Sequence, residues 1–119
     1  SRSGPDEPDE ALALWSGLVS GRWTLIESFE RDGRRLFLAY PNALELQRPR
    51  ALTPRERTVV GYVVQGDSDK WIAYQLGITP ATVARHLATA LRKLGLVHRH
   101  ELIWLYHSLY SGDRSRKLE

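Results

Sequence analysis

Apolar residues in the second half of the chain recur at helical spacing, and a glycine closes each of the first three runs. Val59, Val60, Val63 and Val64 mark the buried side of a helix that starts at Pro54, reaches about Gln65 and stops at Gly66. Trp71, Ile72, Ala73 and Leu76 precede Gly77, and Val83, Leu87, Leu91 and Leu94 precede Gly95. A fourth run, about Arg99–Tyr110, sets Leu102, Ile103, Leu105 and Leu109 in or near one face. The starts are as well marked as the stops. Thr53-Pro54-Arg55-Glu56 is a capping box with proline at the first helical position, Ser68 caps the second helix, and Thr79-Pro80 opens the third.

The first half changes period. A short helix is predicted over Glu10–Val19, with Leu14, Trp15, Leu18 and Val19 as its stripe and Gly21 as its stop. The segments "RWTLIESF" and "RRLFLAY" are strand-like and flank Asp32-Gly33, a pair suited to the two positive φ angles of a type I′ turn. Pairing across that turn sets Glu30 opposite Arg35, Phe29 opposite Leu36, Glu27 opposite Leu38 and Leu25 opposite Tyr40. One face would then collect Trp23, Leu25, Phe29, Leu36, Leu38 and Tyr40. A lone hairpin is marginal in water, so this one must pack on a helix, on a further part of the protein or on a second copy. Residues 41–52, with two prolines, read as a linker, and the polar, acidic opening of the chain reads as a disordered lead-in.

Composition narrows the class. At 119 residues with 42% hydrophobic content, the chain can hold one ordinary folded domain. It has no apolar run near the ~18 residues of a membrane span and no secretory signal. The absence of cysteine rules out disulfides and thiolate metal sites and fits a reducing cytoplasm. The absence of methionine, even at position 1, points to a piece of a longer parent, with Ser1 and Leu118-Glu119 as junction residues and any sensor domain outside this stretch. Net charge is +3, and the bias lies in the second half: residues 53–110 carry seven basic and four acidic groups, against seven and eight in residues 1–52. That is weak evidence for a polyanionic partner.

The second and third helices of the later half are separated only by Gly77-Ile78-Thr79, the spacing of a helix-turn-helix. In that arrangement the second helix, here residues 80–94, enters the major groove and the first crosses the backbone. The stretch from Leu52 to Ile103 resembles the LuxR-type (LuxR/FixJ/NarL) DNA-binding domain. The resemblance rests on Leu52-Thr53-Pro54-Arg55-Glu56-Arg57, Gly66, Lys70, Ile72-Ala73, Leu76-Gly77, Thr82-Val83, His86-Leu87, Lys93-Leu94-Gly95 and Arg99, in order and in register. It implies a mainly α fold: a four-helix domain at 52–110 that binds double-stranded DNA as a transcriptional regulator. Such domains usually act as homodimers that use the last helix. The short helix and hairpin of 10–51 form a small α+β extension ahead of it, of a kind that precedes such domains in some bacterial regulators, with a lead-in at 1–9 and a tail at 111–119.

The resemblance implies DNA contacts from Ser68, Lys70, Thr79, Thr82, Ala84, Arg85, Ala88, Thr89, Arg92 and Lys93, and a dimer seam from Leu102, Trp104, Leu105, Tyr106 and Leu109. Arg85 is the best base reader. The chain departs from the family at four places. Ala84 stands where a lysine is usual, Ala88 where a polar residue is common, Asp69 where asparagine is frequent, and Asp67 where an apolar residue follows the glycine. The two alanines reduce hydrogen-bond readout, although alanine still meets a thymine methyl, and DNA shape adds specificity. The two carboxylates would be repelled by phosphate. These departures motivate a rival, a protein-interaction module on a helix-turn-helix scaffold with weakened DNA readout. A third reading, a sigma-factor-like contact with RNA polymerase, rests on fold analogy alone.

Other features read blandly. His86 packs and hydrogen-bonds the neighbouring backbone. The histidines of "HRH" at 98–100 diverge, as side chains two apart on a helix do, and no metal is expected. Arg34-Arg35 is a solvated hairpin end, and Trp71 is core or core rim. Trp104, Tyr106 and Tyr110 serve either a dimer seam or packing against the hairpin. No phosphate loop, paired carboxylates in apolar surroundings or nucleophile beside a base is present, so neither an enzyme nor a cofactor is expected.

Overall fold

The computed structural model describes the backbone of residues 8–118 and the side chains of residues 11–110. The element order is α1 (Pro8–Val19), β1 (Trp23–Arg31), β2 (Arg34–Pro41), α2 (Leu44–Arg50), α3 (Pro54–Val64), α4 (Asp69–Leu76), α5 (Pro80–Leu94) and α6 (Arg99–Leu118). Helix α1 starts two residues before the expected Glu10; the lead-in ahead of Pro8 lies outside the described residues. Helix α6 continues past Tyr110 into the expected tail, where no proline stops it and a single glycine costs a helix only about 1 kcal/mol.

The helix starts form as their chemistry dictates. Thr53 Oγ1 accepts from the Glu56 N–H at 3.1 Å, and Glu56 Oε1 accepts from the Thr53 N–H at 2.9 Å, closing the capping box. Ser68 and Thr79 accept from the N–H groups of Trp71 and Thr82, each at 3.1 Å. Gly77 and Gly95 end α4 and α5 with φ of 69° and 88°, left-handed values that glycine adopts without penalty. At the start of α6, Glu101 accepts from the N–H groups of Val97 and His98.

The hairpin turn has φ of 54° at Asp32 and 77° at Gly33, as a type I′ turn requires. Next to the turn the pairing is the expected one: Glu30 faces Arg35, Phe29 faces Leu36 and Glu27 faces Leu38. The register then shifts between Leu25 and Glu27, and Leu25 faces Ala39 instead of Tyr40. Ile26 is the extra residue of this bulge. One added residue exchanges the faces of everything beyond it. Leu25 therefore joins Phe37 and Ala39 on the inner side, where they line a small apolar cavity with Leu18, Leu105 and Leu109. The face expected to be buried is divided: Leu25 is in the core, whereas Leu38 and Tyr40 are 45% and 60% exposed.

Residues 41–52 are not the expected linker. Asn42 donates to Gly21 O and Thr24 Oγ1 at 2.8 and 2.7 Å, which fixes the chain just before α2. Helix α2 then lies directly on the α1–β1 turn. A Cβ at Gly21 would sit 2.0 Å from Gln47 O, so only glycine allows that approach. This docking maintains a seven-residue helix although Pro49 lies within it.

A single core joins the two halves. Leu18, Val19 and Leu25 of the extension pack in one cluster with Val59, Val63, Ile72, Val83, Leu94 and Leu102. Leu102 and Leu105, expected at a dimer seam, are 0% and 3% exposed and belong to this core. Being buried in their own chain, they offer nothing to a second copy. Among the described residues, no helix is long and apolar enough to cross a membrane.

Candidate nucleic-acid interface

Helix α5 divides cleanly into two faces. Val83, Leu87, Ala90, Leu91 and Leu94 are buried against the core. Ala81, Ala84, Arg85, Ala88 and Arg92 are exposed; Ala81, Ala84, Ala88 and Arg92 follow at intervals of three and four residues with Arg85 beside Ala84, which makes one continuous outward stripe. Thr82, His86, Thr89 and Lys93 flank the stripe and are half-buried. Helix α4 packs behind through Ile72 and Ala73, and the Ile78 N–H bonds to Ala73 O at 3.1 Å, which holds the turn between the helices. The arrangement presents the α5 stripe, Lys70 and the capped N-terminus of α5 outward.

Several of the expected contact residues are engaged within the protein. Lys93 Nζ lies 2.8 Å from Glu56 Oε1 and 3.1 Å from Ala51 O, so its charge ties the last turn of α5 to the first turn of α3. The Thr82 hydroxyl lies 2.9 Å from that of Thr79 at the cap. Ser68 and Thr79 also serve as caps, with their oxygens accepting within the first turns of α4 and α5. Arg92 Nη2 donates to Thr89 Oγ1 at a long 3.4 Å, and both side chains remain at the surface edge.

Of the two carboxylates that looked hostile to DNA, that of Asp69 is paired with Arg99, which holds Asp67 through its backbone carbonyl. Arg99 Nη1 lies 2.5 Å from Asp69 Oδ1, and Nη2 donates to Asp67 O at 2.6 Å. This fork screens the Asp69 charge and pins the loop before α4 to the start of α6. Sequence reading placed Arg99 among the family features but gave it no part in the site. The available signal was an aspartate in place of the usual asparagine, together with an arginine thirty residues later.

The aromatic residues depart from the bland readings. Trp71 is 49% exposed and stacks on Tyr74 with ring centroids 5.7 Å apart, so it stands on the outer side of α4 and not in the core rim. His98 and His100 do not diverge: their rings stack at 5.1 Å, because His98 precedes the helix and lacks helical geometry. Arg35 is not a solvated end. Its guanidinium lies 4.4 Å from the Trp104 ring centroid, a cation–π contact that fastens β2 to α6. Tyr106 meets Trp15 edge-on at 5.2 Å, so it packs on α1. Trp104 both receives the hairpin and remains 42% exposed.

Comparison with known proteins agrees with this geometry. Residues 50–106 match the family described as bacterial regulatory proteins, luxR family. The HTH-type transcriptional regulator MalT of Vibrio campbellii is 30% identical over 97 residues, covering 82% of this chain and 11% of the relative. The MalT of Yersinia pestis is 36% identical over 66 residues, 56% of this chain and 7% of the relative. The chain thus spans about a tenth of the length of the curated relatives it matches. No solved structure matches. The capped helix pair, its glycine turn and the family match together show that this chain carries a helix-turn-helix domain of the LuxR family over residues 50–106.

Proposed function

We propose that this chain is the DNA-binding part of a transcriptional regulator, which binds duplex DNA with sequence preference by laying α5 in the major groove. The observation that carries the reading is the outward stripe of α5, which holds Arg85 and Arg92 one face away from a fully packed side. A rigid helix backed by core residues can present arginine to base edges, and arginine paired with guanine is the commonest specific contact in the major groove. Arg85 is the base reader. Arg92 and Lys70, with the N-termini of α4 and α5, anchor phosphates. Two copies meet through the exposed face of α6 around Trp104, since Tyr106 and Leu109 turn toward α1 and the inner cavity. The Asp69–Arg99 pair removes one objection to DNA binding that the amino-acid order raises.

The rival, a protein-interaction module, draws on the exposed Trp71–Tyr74 stack. A duplex-binding titration over a range of salt separates the two. Affinity for DNA is expected to fall with a log–log slope of about −3 to −4, since each neutralised phosphate contributes about −0.9. Arg85→Ala is expected to cost about 1–3 kcal/mol on the preferred site and to relax preference at one base pair, while leaving the salt slope nearly unchanged. Absence of duplex binding at low salt, alongside capture of a protein partner, would replace this reading with its rival.

A further inference from the structure

We infer that Ala84 and Ala88 are specificity residues, and that they select thymine by packing against its 5-methyl group. The inference rests on the reading of α5 as the helix that enters the major groove. Both residues are exposed, one helical turn apart, on the same outward stripe as Arg85. An alanine side chain has neither donor nor acceptor, so any contact it makes with a base edge is apolar. The major-groove edge of the four bases presents one apolar group, the thymine methyl. The short side chains also let α5 approach the groove floor closely, which longer residues at these positions would prevent.

The neighbouring polar side chains do not take over this readout. Thr82 is bonded to Thr79 at the cap, and Lys93 is held by Glu56 and Ala51. Arg85 is thus left as the hydrogen-bonding reader between two apolar ones. Residues four apart are separated by ~6 Å along a helix. Successive base pairs rise ~3.4 Å. The favoured half-site therefore holds two thymine methyls about two base pairs apart, beside the guanine that Arg85 reads.

The first arm of the test acts on the DNA with the unmodified protein, so it does not depend on how a variant folds. Duplexes bound by the unmodified protein are selected from a random library, and each thymine of the selected site is replaced in turn by uracil, which lacks only the methyl. Two positions about two base pairs apart are expected to weaken binding about fourfold each, the equivalent of exposing one buried methyl. With Ala88→Gly, one of the two penalties is expected to disappear and the other to remain. If duplexes are selected but uracil costs nothing at any position, the methyl readout is wrong and the DNA-binding reading stands. If no duplex is selected at any salt concentration, the DNA-binding reading fails and this inference falls with it.

Discussion

Gly95→Ala is expected to destabilise the protein by more than about 3 kcal/mol and to displace the hairpin from the helix-turn-helix domain. Gly95 has φ of 88°, where a side chain costs about 1–2 kcal/mol by itself. A Cβ built there would sit 1.8 Å from Leu25 O and 2.8 Å from Leu25 C. Those are backbone atoms of β1, so no rotamer change relieves the clash. Either the end of α5 unwinds or β1 moves and takes Leu25, 4% exposed, out of the core. Gly66→Ala is the matched control, since Gly66 has φ of 94° but nothing within 4 Å of the added carbon. It should lose only the conformational part, about 1–2 kcal/mol. Urea unfolding of the two variants measures the difference. Equal losses would mean that the strand and the helix end can separate freely.

Glu56→Ala is expected to cost about 3 kcal/mol. Glu56 is 6% exposed, closes the capping box and receives Lys93. Its removal leaves a largely buried lysine without its carboxylate and the Thr53 N–H without its acceptor. The same contacts make stability depend on pH. Burial raises the Glu56 carboxyl, but the hydrogen bonds from Lys93 and Thr53 and the Lys93 charge outweigh it and hold the group below its ordinary value of 4.5. A carboxylate whose pKa is lower in the folded state contributes stability above its unfolded pKa and loses it as pH falls through the folded value. Wild-type stability should therefore drop below about pH 4.5. In Glu56→Gln, which has no such titration, that part of the drop should be missing. Thermal melts from pH 7 to pH 3 compare them; parallel pH profiles would show that the pair contributes nothing. Lys93→Met should likewise lower stability while the salt slope of DNA binding stays unchanged, as follows from a lysine turned toward α3.

Features within a turn or two of helix were legible in the amino-acid order. Thr53, Ser68 and Thr79 act on N–H groups three residues away, and Gly77 and Gly95 end helices by local backbone conformation. The buried valines and leucines of α3 and α5 follow from helical period alone. The strand pairing was correct only as far as the turn governs it. Ile26 carries no local mark of a bulge, and the outward placement of Tyr40 follows from the position of Leu25 in the shared core. The two prolines of residues 41–52 argued for a linker, and the contact of α2 with Gly21 overrode them.

The candidate interface divides along the same line. The outward stripe of α5, with Arg85 at its centre, is a matter of spacing and could be read directly. The commitments of Lys93 to Glu56 and of Arg99 to Asp69 span 37 and 30 residues, and charge in a linear chain does not say which partner it will meet. The sequence by itself determined every helix but α2, the caps of α3 to α5 and the face that α5 turns outward, because those depend on contacts a few residues apart. Only the tertiary structure decided which cations remain for DNA, which leucines of α6 are consumed by the core and which face of the hairpin turns inward. Those outcomes depend on close packing between segments tens of residues apart, where a single extra residue or a missing Cβ changes which surfaces can meet.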